Sequence, residues 1–284
     1  MAALEVLETG PFTTVQDAGR YGHAALGVGR SGAADIGAYA LANRLVANPL
    51  GAAALEVTYG GLRVRAHGAL TLAVTGATCP VDAGGRGGAT DCVLRLADGA
   101  ELRLGAPARG LRSYVAVRGG IEVPPVLGSR STDTLAGLGP DRPVPGALLP
   151  VGAAPEGFPA VDQAPVPAPP GDDLRLRVVL GPRDDWFTPE AVETLLTRPY
   201  TVTDRSDRVG ARLSGPALPR TRHDELPSEG MVPGSVQIPA DGDPVLFLAD
   251  HPVTGGYPVI AVVTAADVAR AAQARPGTRL WFHR

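Results

Sequence analysis

The chain opens as a series of short β-forming runs with little helical periodicity. Leu4–Leu7, Thr13–Gln16, Leu62–Arg65, Leu70–Val74, Val93–Leu96 and Ser113–Val117 alternate or cluster apolar side chains over a few positions, the length and composition of strands. Between Gly32 and Pro49 the pattern changes. Ile36, Tyr39, Ala40, Asn43, Leu45 and Val46 recur at near-helical spacing in a stretch rich in alanine, leucine and asparagine. This predicts a helix capped by Ser31 or Asp35 and ended at Asn48-Pro49.

The second half repeats this grammar. Leu174–Leu180, Val245–Leu248, Val259–Val263 and Arg279–Phe282 read as strands, and Pro189–Leu196 and Ala265–Ala274 as helices. The stretch from Val151 to Asp173 has no apolar period and is dense in proline and alanine, which reads as a linker. The pattern predicts a mainly β fold with a few helices, in two domains, 1–150 and 174–284, joined by the linker 151–173. A chain of 284 residues is long enough for both to bury a core.

Composition sharpens this picture. Thirty-seven glycines and 28 prolines supply the turns that many short strands need. A net charge of −3 gives no broad attraction for nucleic acid or an anionic membrane, so neither is an expected partner. The N-terminal residues lack the basic and apolar regions of a secretion signal, and Cys79 and Cys92 read as reduced structural thiols, which together predict a cytoplasmic protein. All 26 basic residues are arginine. Without lysine the chain cannot carry covalent biotin, build a P-loop, or form a Schiff base with pyridoxal phosphate.

Several motifs carry little chemistry. Ala83-Gly-Gly-Arg-Gly-Gly88 lacks a following Gly-Lys-Ser/Thr and fits a hairpin better than a phosphate cradle. His23, His67, His223, His251 and His283 show no metal-ligand spacing, so no metal site is predicted. No Gly-x-Ser-x-Gly elbow supports a serine hydrolase.

Longer blocks are more specific. Thr13-Thr-Val-Gln-Asp-Ala-Gly-Arg20 is followed by Gly27-Val-Gly-Arg-Ser-Gly-Ala-Ala-Asp35, Leu41-Ala-Asn-Arg-Leu-Val-Ala-Asn-Pro49, Leu55-Glu56, Val115-Ala-Val-Arg-Gly-Gly-Ile121 and Leu127-Gly-Ser-Arg-Ser-Thr-Asp133. The second half adds Ser206-Asp-Arg-Val-Gly-Ala-Arg-Leu213, Ser228-Glu-Gly-Met-Val-Pro-Gly-Ser-Val-Gln-Ile-Pro239, Asp243-Pro244 and Asp250-His-Pro-Val-Thr-Gly-Gly-Tyr-Pro258. In this order the blocks resemble the C-subunit family of bacterial ATP-dependent 5-oxoprolinase, a family also called KipA-like or allophanate hydrolase subunit 2. The chain departs from the common family form at Arg30 and Ala34, where proline and methionine are usual, and at His251-Pro252-Val253, where Arg-Gln-Thr is usual.

The resemblance implies a cyclophilin-like β-barrel architecture and a biotin-dependent carboxyltransferase-type module. It implies a heteromer in which a KipI-like B subunit and an A subunit join this chain to open 5-oxoproline to glutamate, with ATP used by the complex and the single chain inactive. Two alternatives share the module: carboxyl transfer from carboxybiotin to urea or a similar amide, and KipA-like regulation, in which the chain binds and antagonises a KipI-like partner.

Opening an unstrained lactam calls for cations near the developing charge, and here these must be arginines. Arg20, Arg30, Arg208 and Arg212 all lie in the matched blocks. Asp17, Asp35, Asp207, Glu229 and Asp250 fit general bases or the partners that hold those arginines. The expected catalytic set is Arg208, Glu229, Asp207 and Asp250. The expected substrate contacts are Arg20, Ser31, Asp35, Arg212, Ser228, Gln237, Thr254 and Tyr257. Each has a structural counterpart: Arg208 paired with Asp207 or Glu229, Ser31, Ser206 and Ser228 as turn caps, and Gln237 and Tyr257 as satisfied core polar groups.

Overall fold

The computed structural model describes residues 2–158, 160–222 and 224–284. Pro159, within the expected linker, and His223, one of the five histidines, lie outside the described residues. The chain forms two compact units that do not follow the halves of the sequence. The first holds residues 1–20, 35–133 and 137–169, and the second holds 21–34, 134–136 and 170–284.

In the first unit the strands are β1 (Ala3–Thr9), β2 (Phe12–Gln16), β3 (Ala54–Thr58), β4 (Leu62–His67), β5 (Leu70–Thr78), β6 (Val81–Ala83), β7 (Gly87–Gly88), β8 (Cys92–Leu96), β9 (Glu101–Leu104), β10 (Arg109–Val117) and β11 (Leu148–Pro150). They make two sheets, ordered β11-β1-β4-β9-β6-β7 and β2-β3-β10-β5-β8. Leu4, Val6 and Val64 of one sheet and Leu55, Val57 and Val115 of the other share a single apolar cluster. Each such side chain contributes about 1.5–3 kcal/mol when fully buried. On β4 the alternation is plain: Leu62, Val64 and Ala66 point inward. Outward-facing Arg63 and Arg65 pair with Glu5, Glu8 and Glu101 on neighbouring strands. Arg103 and these arginines hold the Glu101 carboxyl down at about 2.

The second face of the five-stranded sheet is different. Ala54, Ala116 and Ala73 lie side by side across β3, β10 and β5, beside a row of Thr14, Glu56, Tyr114 and Thr75. The small side chains let helix α1 (Ile36–Leu45) pack on β5 and β10. Asp35, rather than Ser31, caps the helix by accepting from the Ala38 amide at 3.0 Å. The Tyr114 hydroxyl donates to Glu56 at 2.8 Å and accepts from the Asp35 amide at 2.7 Å. Burial pushes its phenol well above the ordinary value.

The proline-rich stretch is held against this unit. Val93 donates to Asp162 and Ala164 to Asp91, both at 2.8 Å, while Gln163 bridges Cys92 along the outer edge of β8. Arg118 donates to the Pro155 and Gly157 carbonyls, and its guanidinium lies 5.0 Å from the Phe158 ring.

In the second unit the strands are β12 (Asp173–Leu180), β13 (Tyr200–Val202), β14 (Gly210–Ser214), β15 (Glu229–Gly230), β16 (Ser235–Gln237), β17 (Val245–Phe247), β18 (Thr254–Gly255), β19 (Val259–Val263) and β20 (Arg279–His283), with helices α2 (Pro189–Thr197) and α3 (Ala265–Ala271). Seven strands close a barrel in the order β12-β19-β16-β17-β14-β13-β20, and parallel pairing of β20 with β12 shuts it. Along β12, Leu174, Leu176 and Val178 fill the interior while Asp173, Arg175, Arg177 and Val179 face out. α2 starts where Thr188 accepts from the Ala191 amide with Pro189 in the first turn, and it packs on β20. α3 ends at Ala271, short of the expected Ala274.

The mainly β expectation holds, with a closed barrel and three α-helices among the described residues. None of these helices is long and apolar enough to cross a membrane.

Candidate functional site

Three of the residues singled out in the sequence meet in the second unit. Asp207 Oδ1 accepts from the Val209 and Gly210 amides at 2.8 and 3.1 Å, a turn that aims the next side chain inward just before β14. That side chain, Arg208, is 2% exposed. Its Nε and Nη2 donate to the two oxygens of Asp250, both at 2.9 Å, a bidentate fork. Backbone bonds from Leu248 to Val209 and from Asp250 to Arg208 bind the two loops together.

Asp250 gathers two further segments. Ser31 Oγ donates to Oδ1 at 2.6 Å, and the Thr134 amide and hydroxyl donate to Oδ2 at 2.9 and 2.7 Å. Arg208 Nη2 also donates to the Gly32 carbonyl at 2.6 Å. Ser31 itself has φ 52°, in the left-handed region that a serine seldom adopts. Burial alone would raise the Asp250 pKa, but the Arg208 charge and the bonds from Arg208, Ser31 and Thr134 outweigh it and hold the carboxyl below its usual range. An ionised carboxylate with this many donors is a weak base. The arrangement suits it to fixing residues 31, 32 and 134 beside the barrel.

The first unit holds a second polar centre. Asp17 Oδ1 accepts from Ser129 and Ser131 hydroxyls at 2.7 and 2.6 Å and from the Gly19 amide at 2.8 Å, and Oδ2 accepts from the Arg130 amide at 2.6 Å. These bonds fix residues 129–131. The Arg20 Nη2 donates to the Ser131 carbonyl, and Nη1 lies 3.8 Å from Asp133 Oδ2. Gln16 Nε2 donates to the Thr132 carbonyl at 2.8 Å. Gly139, at φ 94°, packs so closely on this segment that a Cβ there would stand 1.9 Å from the Ser131 carbonyl oxygen.

The other expected residues are dispersed. Asp35 is the α1 cap described above. Glu229, on β15, forms an ion pair with Arg183, which the pattern of the sequence does not single out. Thr254 lies on β18, the partner strand of β15. Gln237 is buried on β16 and donates to the Tyr257 carbonyl at 3.1 Å; Gly255 has no side chain because a Cβ would come within 2.6 Å of the Gln237 nitrogen. The side chains of Arg212, Ser228, Thr254 and Tyr257 are exposed. Asp250 takes the place beside Arg208 that was expected of Asp207 or Glu229. Thr134 was missed although it directly follows the Leu127–Asp133 block, and Gln16 although it sits inside the first block.

Among the described residues no group of three or more His, Cys, Asp or Glu side chains is placed to hold a metal ion. The glycine-rich turn lies in a hairpin between β6 and β7, with no helix N-terminus to meet a phosphate.

Comparison with known proteins bears on both units. The chain is 36% identical over 98% of its length to the 5-oxoprolinase C subunit of Escherichia coli, covering 90% of that protein. Its fold matches the crystal structure of TTHA0988 with a TM-score of 0.89 at 36% identity, and it spans only 56% of that longer chain. It matches the crystal structure of Kluyveromyces lactis urea carboxylase with a TM-score of 0.92 at 30% identity, covering 99% of this chain and 27% of that one. The family model described as carboxyltransferase domain, subdomain A and B, matches residues 26–284. The chain therefore belongs to the carboxyltransferase-domain family and is similar along nearly its whole length to the C subunit of 5-oxoprolinase.

Proposed function

We propose that this chain is the C subunit of an ATP-dependent 5-oxoprolinase, acting in the cytoplasm with a KipI-like B subunit and an A subunit. The observation that carries the reading is its 36% identity to the Escherichia coli protein, across 98% of this chain and 90% of that one. Two waters are consumed: the oxygen of one joins the lactam carbonyl carbon as the ring C–N bond breaks and the nitrogen leaves as the amine of glutamate, and the other is taken up in the cleavage of ATP to ADP and phosphate that drives the opening. No ATP contact is assigned to this chain.

In this reading Arg208 and Asp250 act as positioning residues, because their charged groups are engaged with one another. Exposed Arg212, Ser228, Thr254 and Tyr257 remain available to substrate or partner. Glu229 stays a candidate base, restrained by Arg183.

The fold match to a urea carboxylase favours a second reading, carboxyl transfer to urea or a similar amide. Since the chain has no lysine, biotin would arrive on another polypeptide. The deciding experiment is ATP-dependent glutamate release from 5-oxoproline by the three reconstituted proteins, each omitted in turn. Release that needs all three is expected. Robust turnover by the purified single chain would overturn partner dependence, and carboxylation of urea in place of lactam opening would select the second reading.

A further inference from the structure

Glu229, Gly255, Gln237, Val259 and Arg183 close a circuit on the outer wall of the barrel. Along β17, Leu246 joins the interior core, while Val245 and Phe247 form a separate apolar cluster with Met231 and Val259. The short ladder of β15 and β18 lies against this cluster. The Met231 amide donates to the Val253 carbonyl at 2.9 Å, and a Cβ on Gly255 would stand 2.6 Å from Gln237 Nε2 and 3.1 Å from Met231 Sδ. Gly255 is the register partner of Glu229. Directly opposed residues of an antiparallel pair project to the same face, so the Glu229 side chain leaves the ladder on the side of Gln237. Thr254, one position along, projects to the other face and is exposed.

Arg183 meets the carboxylate there. Its Nε donates to Glu229 Oε2 at 3.1 Å and its Nη2 donates to Oε1, a bidentate fork. The barrel carries this arginine: its amide donates to the Val259 carbonyl at 3.0 Å, Val259 is the register partner of Gln237, and Trp186 and Phe187 just beyond it are buried in the core. The side chains of Arg183 and Glu229 keep 37% and 25% of their exposure, so dissolved molecules reach the pair. The fork engages one edge of the carboxylate and leaves the outer lone pair of each oxygen to accept from water or an N–H. We propose that Arg183 is a positioning residue for Glu229, holding its carboxylate in the one orientation from which those lone pairs meet an amide substrate or the water that attacks it. The proposal rests on the reading of Glu229 as the candidate base; the fork itself rests on the geometry.

The test is a double-mutant cycle in the three reconstituted proteins, reading kcat and KM for 5-oxoproline with Arg183→Gln, Glu229→Gln and both together. A pair this exposed adds little to stability, so the variants should fold. Arg183→Gln should lower kcat about tenfold to a hundredfold with KM held within about twofold. The double variant should be no slower than Glu229→Gln alone, because the arginine acts through the carboxylate. Arg183→Lys, which keeps the charge and loses the fork, should recover part of the rate. Losses that multiply in the double variant, wild-type kcat in Arg183→Gln, or wild-type kcat in Glu229→Gln would each overturn the proposal. A second readout needs no turnover: in the isolated chain the Arg183 Nε–H proton should resonate downfield of a free arginine's and move upfield in Glu229→Gln. A free-arginine shift in the wild type would overturn the proposal whether or not any variant folds. Wild-type proteins that release no glutamate but keep the downfield proton would sink the 5-oxoprolinase reading and leave the pair, and the same cycle read on urea carboxylation then decides its role.

Discussion

Arg208 and Arg20 are both buried arginines from matched sequence blocks, and they live in opposite chemical circumstances. Arg208 faces a carboxylate across a bidentate fork, and that carboxylate is held by three further donors from Ser31 and Thr134. Arg20 has one hydrogen bond to a backbone carbonyl, an aspartate at 3.8 Å, and donors left over. Burial and motif membership are the same; the spent and unspent hydrogen bonds differ. A cation whose fork is occupied holds structure, and one with spare donors can recognise something else.

The strongest way to break this contrast is Arg208→Ala. It leaves Asp250 charged and buried without its cation, and a loss of about 3–5 kcal/mol of stability is expected by denaturant unfolding. Unchanged stability with lost activity would move Arg208 from the structural to the substrate side of the comparison. Ser31→Ala removes one bond to the same carboxylate, and should cost about 1.5–3 kcal/mol in the same assay. Arg20→Lys retains the charge beside Asp133 and can still reach a carbonyl, so its stability should change by no more than about 1 kcal/mol. A larger loss would show that Arg20 is as structural as Arg208.

The smallest effect should come from acid. Because the folded Asp250 pKa is depressed, its contribution is fully present above the unfolded value of 3.8 and disappears as pH falls through the lower folded value. Carboxyl-carbon NMR should show Asp250 still ionised at pH 3.8; a midpoint at or above that pH would contradict the clasp.

The elements with a clear period were legible in the sequence. β4 and β12 alternate because one face meets a core and the other water. β3 was not, because Ala54, Leu55, Glu56 and Val57 are all buried: with both faces covered, a strand shows no alternation to read. Arg208, Asp250 and Ser31 were each named as candidates from their blocks. Their meeting was not legible, because it joins positions 219 residues apart through a carboxylate that could have paired elsewhere. Thr134 was overlooked because a threonine hydroxyl and amide leave no charge pattern. Gln16 was overlooked because its significance lies in an oxygen that lacks a partner, which only coordinates reveal.

Residues 162–164 occupy the outer side of β8, a terminal strand of its sheet. An open edge is where a foreign chain would add a strand, whether as a recruited partner or as an aggregating copy. By laying its own connector there, the molecule acts as its own neighbour at that edge. Assembly by strand addition at β8 would first have to peel the connector away, so a partner that binds the chain without displacing residues 162–164 must use another sheet edge, such as β2, β7 or β11, or another part of the surface.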